Sequence, residues 1–142
     1  LWSELFYLNQ DNILAALTRY MDATTHIQKE LEQADEETTS RKSDGTIART
    51  VLFPRIAASC LITTVMEAEK KSGVPFARFA GSGFVDFTGP ASISPEEDIE
   101  TTSNYHQEVA DILRDYNKKL AELHDLLSRH QRRELTQMLS GK

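Results

Sequence analysis

The sequence is short of the residues that mark several common classes of protein. One cysteine, Cys60, in 142 residues excludes an intrachain disulfide and fits a reducing, cytoplasmic compartment. No run of 18 apolar residues occurs. The best stretch, Val51–Met66, is interrupted by Pro54 and Arg55, so no membrane partner is expected. Positive charge is scarce: 16 Lys and Arg against 22 Asp and Glu leave a formal charge of −6. That balance argues against unspecific nucleic-acid binding, which needs clustered cations. Only six glycines are present, and none of them builds a G-x-G-x-x-G fingerprint. The nearest approach, Gly81-Ser82-Gly83, has Asp86 at the third glycine's place, where it would repel a pyrophosphate. No strand pattern precedes it. A secretory signal pattern is missing as well. Leu1-Trp2 reads as mid-helix, the expectation for a piece of a longer chain.

What is present is helical periodicity. Ile13, Leu17, Tyr20, Ile27 and Leu31, widened by Leu14 and Met21, form one apolar stripe, with Arg19, Asp22 and Lys29 on the solvated side. This predicts a helix over 5–31. The segment 34–46 is polar and aperiodic, a linker. A second helix is expected over Thr46–Lys71, with a wide apolar face from Ile47 to Ala68. Such breadth favours helix partners on several sides, and hence association with a second copy. Pro54 should kink or break this helix, and Gly73 and Pro75 should end it. Residues 74–94, with Phe76, Phe79, Phe84 and Phe87, read as a Gly/Phe-rich loop pinned by its rings. Ser94-Pro95-Glu96-Glu97 is a capping-box helix start. The helix it opens runs through Val109, Ile112, Leu113, Tyr116, Leu120, Leu123 and Leu127. A short last helix fits Gln131–Leu139. The class is all-α, a bundle of long amphipathic helices.

One internal echo stands out. Ile13–Tyr20 lies 96 residues before Val109–Tyr116, and the same offset pairs Ile27 with Leu123 and Leu31 with Leu127.

The stretch Ala80, Gly81, Gly83, Phe84, Asp86, Thr88 and Ala91, followed by Pro95 and Glu96, is in register with a loop of a known family. It resembles the A-G-x-G-F-R-D-x-T loop of the helical C-terminal, dimerisation domain of the prephenate and arogenate dehydrogenases. Phe53-Pro54-Arg55-Ile56-Ala57-Ala58 is similar to that family's S-H-L-P-H-L helix. The opening residues, Leu1-Trp2 and Leu5–Asn9, resemble the helix that follows the family's glycine loop. The resemblance implies the end of one helical unit (1–33), a linker (34–46) and a second, degenerate unit (47–142), intertwined in a bundle. It also implies a parent protein of tyrosine biosynthesis that uses NAD or NADP, and a homodimer through helices. The parent's nucleotide-binding domain would be a further partner. This chain is expected to bind no cofactor and to catalyse nothing alone.

The departures bear on the site. The family's two histidines fall at Leu52 and Arg55, and its loop arginines at Val85 and Gly89. Arginine grips carboxylates in a bidentate way, so losing both leaves Arg55 as the anion contact in register. Ser82, Asp86 and Thr88 complete the substrate-binding set the resemblance implies, with Gly81, Gly83 and Phe84 shaping the loop. An aspartate beside glycines more often bonds nearby amides.

The remaining constellations have bland readings. His124 and His130 face different sides of a helix, and His26 with Glu30 is a local i, i+4 pair; no metal site is expected. Cys60 lies in an apolar face without a helical histidine neighbour, a small core residue rather than a nucleophile. Arg129, Arg132 and Arg133 are diluted by Asp125 and Glu134. Two alternatives stand beside the dehydrogenase reading: a noncatalytic scaffold descended from it, and an unrelated regulatory bundle.

Overall fold

The computed structural model describes residues 8–33, 45–89 and 102–140. Among these there is no strand, and the fold is all-α. Helix α1 spans Gln10–Glu32. A π-helical turn, Ala48–Leu52, leads without a break into α2, Phe53–Ser72. A 3₁₀ turn, Phe76–Phe79, and a short helix α3, Ser82–Thr88, follow. The long helix α4 spans His106–Ser128, and α5 spans Arg132–Leu139.

The apolar spacing explains which faces are buried. Helix α1 lies antiparallel along α4, and α2 packs across the pair. Two linked clusters form the core. In one, Ala48 and Leu52 of the π turn meet Val109 and Leu113 of α4, with Ile27, Leu31 and Phe53 around them. In the other, Tyr20, Cys60 and Leu120 meet, one from each long helix. Ile27 and Ile56 touch both clusters. Leu52, Leu113 and Leu127 are almost fully buried, and each such side chain contributes about 1.5–3 kcal/mol by leaving water.

The termini follow local rules. Pro54 is the second residue of α2, at the point where the π turn passes into regular α-helix. The expected kink is replaced by the wider π turn just upstream. Gly73 ends α2 in the left-handed region at φ 72, and Lys70 and Lys71 face the negative end of its dipole. The α4–α5 corner is a Schellman turn built without glycine. His130 takes φ 56, its N–H reaches Leu127 O, and the Gln131 N–H reaches Leu126 O.

The Gly/Phe-rich stretch departs from the expected pinned loop. Gly81, extended at ψ 173, starts α3, and Gly83, Phe84 and Asp86 lie within it. The Thr88 hydroxyl donates to Phe84 O at 2.7 Å. Phe79 is 78% exposed, Phe76 and Phe87 are also exposed, and Phe84 is half-buried. The rings therefore do not anchor the stretch. Short i, i+4 contacts and the extended Gly81 shape it instead. Of the expected linker 34–46, residues 34–44 lie outside the described residues, as do the Leu1–Tyr7 segment and the capping box at Ser94, and Thr46 is already helical.

By length and composition Ala48–Ser72 is long enough and apolar enough to cross a membrane, with 28% of its most apolar window buried. Core helices meet the same criterion. Here Ala57, Ala58 and Cys60 are buried, and Ile47, Val51 and Met66 remain exposed.

Candidate functional site

A cleft of about 860 Å³ lies between α1 and α2. Its floor is apolar: Ala23, Ile27 and Leu31 from α1, and Leu52, Ile56 and Ala68 from the other wall. Helical spacing puts polar residues on the rim. Arg19, Asp22, His26 and Glu30 come from α1, and Arg55, Ser59, Thr63, Glu67 and Lys71 from α2. Thr102 and Ser103 close one end. The rim thus holds cations on both walls, balanced by three carboxylates. His26 and Glu30 approach to 3.0 Å on the exposed rim.

Cys60 also lines the cleft, and Tyr20 packs against it in the core. Burial pushes the Cys60 thiol up to about 11, so the thiolate needed for nucleophilic attack is scarce at neutral pH. Burial also raises the Tyr20 phenol well above the ordinary range, and the Tyr116 hydroxyl beside it adds to the shift. Among the described residues no three His, Cys, Asp or Glu side chains are placed to hold a metal ion. The arrangement suits binding and packing.

The residues expected at the site separate into two groups. Arg55 lines the cleft. Ser82 and Asp86 stand exposed on α3, Thr88 is buried beneath it, and none of the three lines the cleft. The glycines Gly81 and Gly83 have open space where a Cβ would stand, so no close approach explains them.

What sequence reasoning missed is a polar ladder between α1 and α4. Asn117 is its centre: Oδ1 lies 2.6 Å from the Thr24 hydroxyl, and Nδ2 donates to Gln28 Oε1 at 2.7 Å. Gln28 donates to Glu32 at 3.0 Å. Glu32 in turn pairs with Arg114, which also holds Asp111. That contact and the Gln28 amide keep the Glu32 carboxyl below the usual range. At the midpoint Tyr20 and Tyr116 touch edge to face, with their oxygens 3.0 Å apart. The Tyr20 hydroxyl donates to Ala57 O at 3.1 Å, which ties the pair to α2. The repeated tyrosine was the one signal in the sequence that pointed here.

Fold and site together define an all-α helical domain: paired antiparallel helices with a third packed against them. Its lineage is specific. The model of the prephenate dehydrogenase dimerization domain matches residues 39–141, most of the chain, which belongs to that family. No curated protein and no solved structure matches the chain.

Proposed function

We propose that the chain is the helical association and substrate-wall module of a prephenate or arogenate dehydrogenase-like protein of tyrosine biosynthesis, noncatalytic by itself. The family match over 39–141 carries this reading. Hydride transfer to NAD or NADP would be the work of a nucleotide-binding domain of the parent protein. The cleft supports the wall role, since its apolar floor and the cationic Arg19 and Arg55 suit a small apolar carboxylate. The absence of arginine at Val85 and Gly89 argues that a dicarboxylate is held more weakly here than in a unit with both.

Self-association follows from the same reading. Ile47, Val51 and Met66 are exposed apolar side chains on this helical run, and a second copy is the partner we assign to them. The coding sequence on the 5′ side of the Leu1 codon tests the dehydrogenase reading. An in-frame nucleotide-binding βαβ unit supports it, and a reading frame opening just before Leu1 leaves only a scaffold. Sedimentation equilibrium tests the association. Met66→Glu should shift a dimer to monomer, and a parent chain that is monomeric at high concentration would refute a dimer through α2.

A further inference from the structure

Helices α1 and α4 correspond residue for residue at an offset of 96 and pack against each other in antiparallel fashion. Both have 23 residues, and their first and last residues are offset by the same 96 positions as Tyr20 and Tyr116. The match extends through the caps. Asn9 has φ −110 and ψ 20, and its counterpart Tyr105 has φ −124 and ψ 25. Gln33 has φ −94 and ψ 5, and its counterpart Arg129 has φ −90 and ψ 1. The Gln33 N–H reaches the carbonyls of Leu31 and Lys29, and the Arg129 N–H those of Leu127 and Asp125, the corresponding pair. Two unrelated helices have no reason to agree at both ends. A twofold pair must also meet itself at the axis, and Tyr20 with Tyr116 does so: each is the other's counterpart, and they hydrogen-bond. Helix α1 lies outside the 39–141 family match, whereas α4 lies inside it.

Off the axis the symmetry is broken in one consistent way. On one side Asn117 sits between Thr24 and Gln28. The counterparts of Asn117 and Thr24 are Met21 and Leu120, which meet in the apolar cluster around Tyr20. One flank of the axis is therefore polar and its twin apolar. Pairing α4 with another α4 would set Asn117 against Leu120 and His124, the counterparts of Thr24 and Gln28, on both flanks, so each amide oxygen would lose the hydroxyl that Thr24 gives it. Pairing α1 with α1 would set Thr24 against Met21. Only α1 with α4 sets the Thr24 hydroxyl against the Asn117 amide, and specificity comes from what the wrong pairing leaves unpaired.

We infer that the α1–α4 contact is a twofold association interface closed within one chain, with Asn117 selecting the duplicated helix α1 over the α4 of a second copy. This rests on reading the module as a paired-helix association domain. It leaves the outer face of α2 as the surface for any second copy.

The test uses the full chain with a protease site inserted between Ala34 and Asp44. After cleavage the two pieces are unfolded in urea, refolded together and weighed by native mass spectrometry. The expected result is a one-to-one complex of the pieces, with little homodimer of the α4 piece. Asn117→Met copies the Met21 position and should raise the homodimer-to-heterodimer ratio about tenfold, since it removes the amides left unpaired. Tyr116→Phe, on the axis, removes one hydroxyl from the one-to-one complex and two from the homodimer, so it should not raise that ratio. A parent chain that refolds mainly to homodimers of the α4 piece overturns the inference. So does an Asn117→Met ratio equal to the parent's, or a Tyr116→Phe ratio raised as far as that of Asn117→Met. The 5′ coding sequence bears on the dehydrogenase reading alone, so the two can fail separately.

Discussion

The Tyr20–Tyr116 pair makes an unequal prediction for two formally similar substitutions. Each hydroxyl has one proton. Tyr20 spends its proton on Ala57 O, so the 3.0 Å contact between the phenols must be donated by Tyr116. Tyr116→Phe removes one bond and leaves Tyr20 still donating to α2. Tyr20→Phe removes both bonds and strands the Tyr116 hydroxyl in a half-buried site. With about 1 kcal/mol net per hydrogen bond, and more for a group left unsatisfied, Tyr116→Phe should cost about 1 kcal/mol and Tyr20→Phe about 2–3 kcal/mol. In a chain of this size those costs lower the melting temperature by about 2–4 °C per kcal/mol. Urea titration followed by far-ultraviolet circular dichroism measures both, and the double variant completes the cycle. The cycle should show coupling of about 1 kcal/mol, since Tyr20→Phe already removes what Tyr116→Phe removes. A Tyr116→Phe cost equal to or above that of Tyr20→Phe would refute the assigned proton direction and the link to α2.

Four further outcomes are expected. Leu113→Ala, at a fully buried site between the π turn and α4, should cost about 2–5 kcal/mol in the same urea titration. Gly83 lies inside α3 with open space around it, so Gly83→Ala should be neutral or stabilise by up to about 1 kcal/mol; a loss of stability would show a close contact there. Folding holds Tyr20, Tyr116 and Cys60 neutral by raising their pKa values above the ordinary 10.0 and 9.0. A raised folded value contributes stability that is complete below the unfolded value and lost as pH rises through the folded one. Stability should thus be flat below pH 9 from these groups and fall through about 11 as Cys60 ionises, and further above that as the phenols follow. A thiol reagent at neutral pH should label Cys60 slowly in the native chain and rapidly in urea. Equal labelling rates would contradict its burial.

The long helices were legible because their apolar residues recur at helical spacing over many turns. Ile13 to Leu31 and Val109 to Leu127 predicted α1 and α4 in type and face. The short helix Ser82–Thr88 was not legible. Two glycines within four residues carry poor helix propensity, and four phenylalanines nearby read as anchors, yet local hydrogen bonds sufficed to form a turn and a half of helix. The ladder through Thr24, Gln28 and Asn117 was hidden for another reason. Each residue looks like an ordinary solvated position, and only the antiparallel placement of α4 brings Asn117 between the other two. The cleft was half legible: Arg55 was singled out by resemblance, whereas Arg19 and His26 face it only because α1 crosses α2 at that height.

The π turn at Ala48–Leu52 has a mechanical consequence for how this helix tolerates change in length. Within an α-helix, one inserted residue rotates everything beyond it by about 100°, which would swing Ala57 and Cys60 away from Tyr20. A π turn is the form in which a helix stores one surplus residue locally. Here it lets Ala48 and Leu52 address α4 while Cys60, two turns on, addresses α1. Removing a single residue between Arg49 and Val51 should turn this segment into regular α-helix while leaving the phase of Phe53–Ser72 untouched. The turn thus works as a slip joint, uncoupling the length of the helix from the direction in which its far half points.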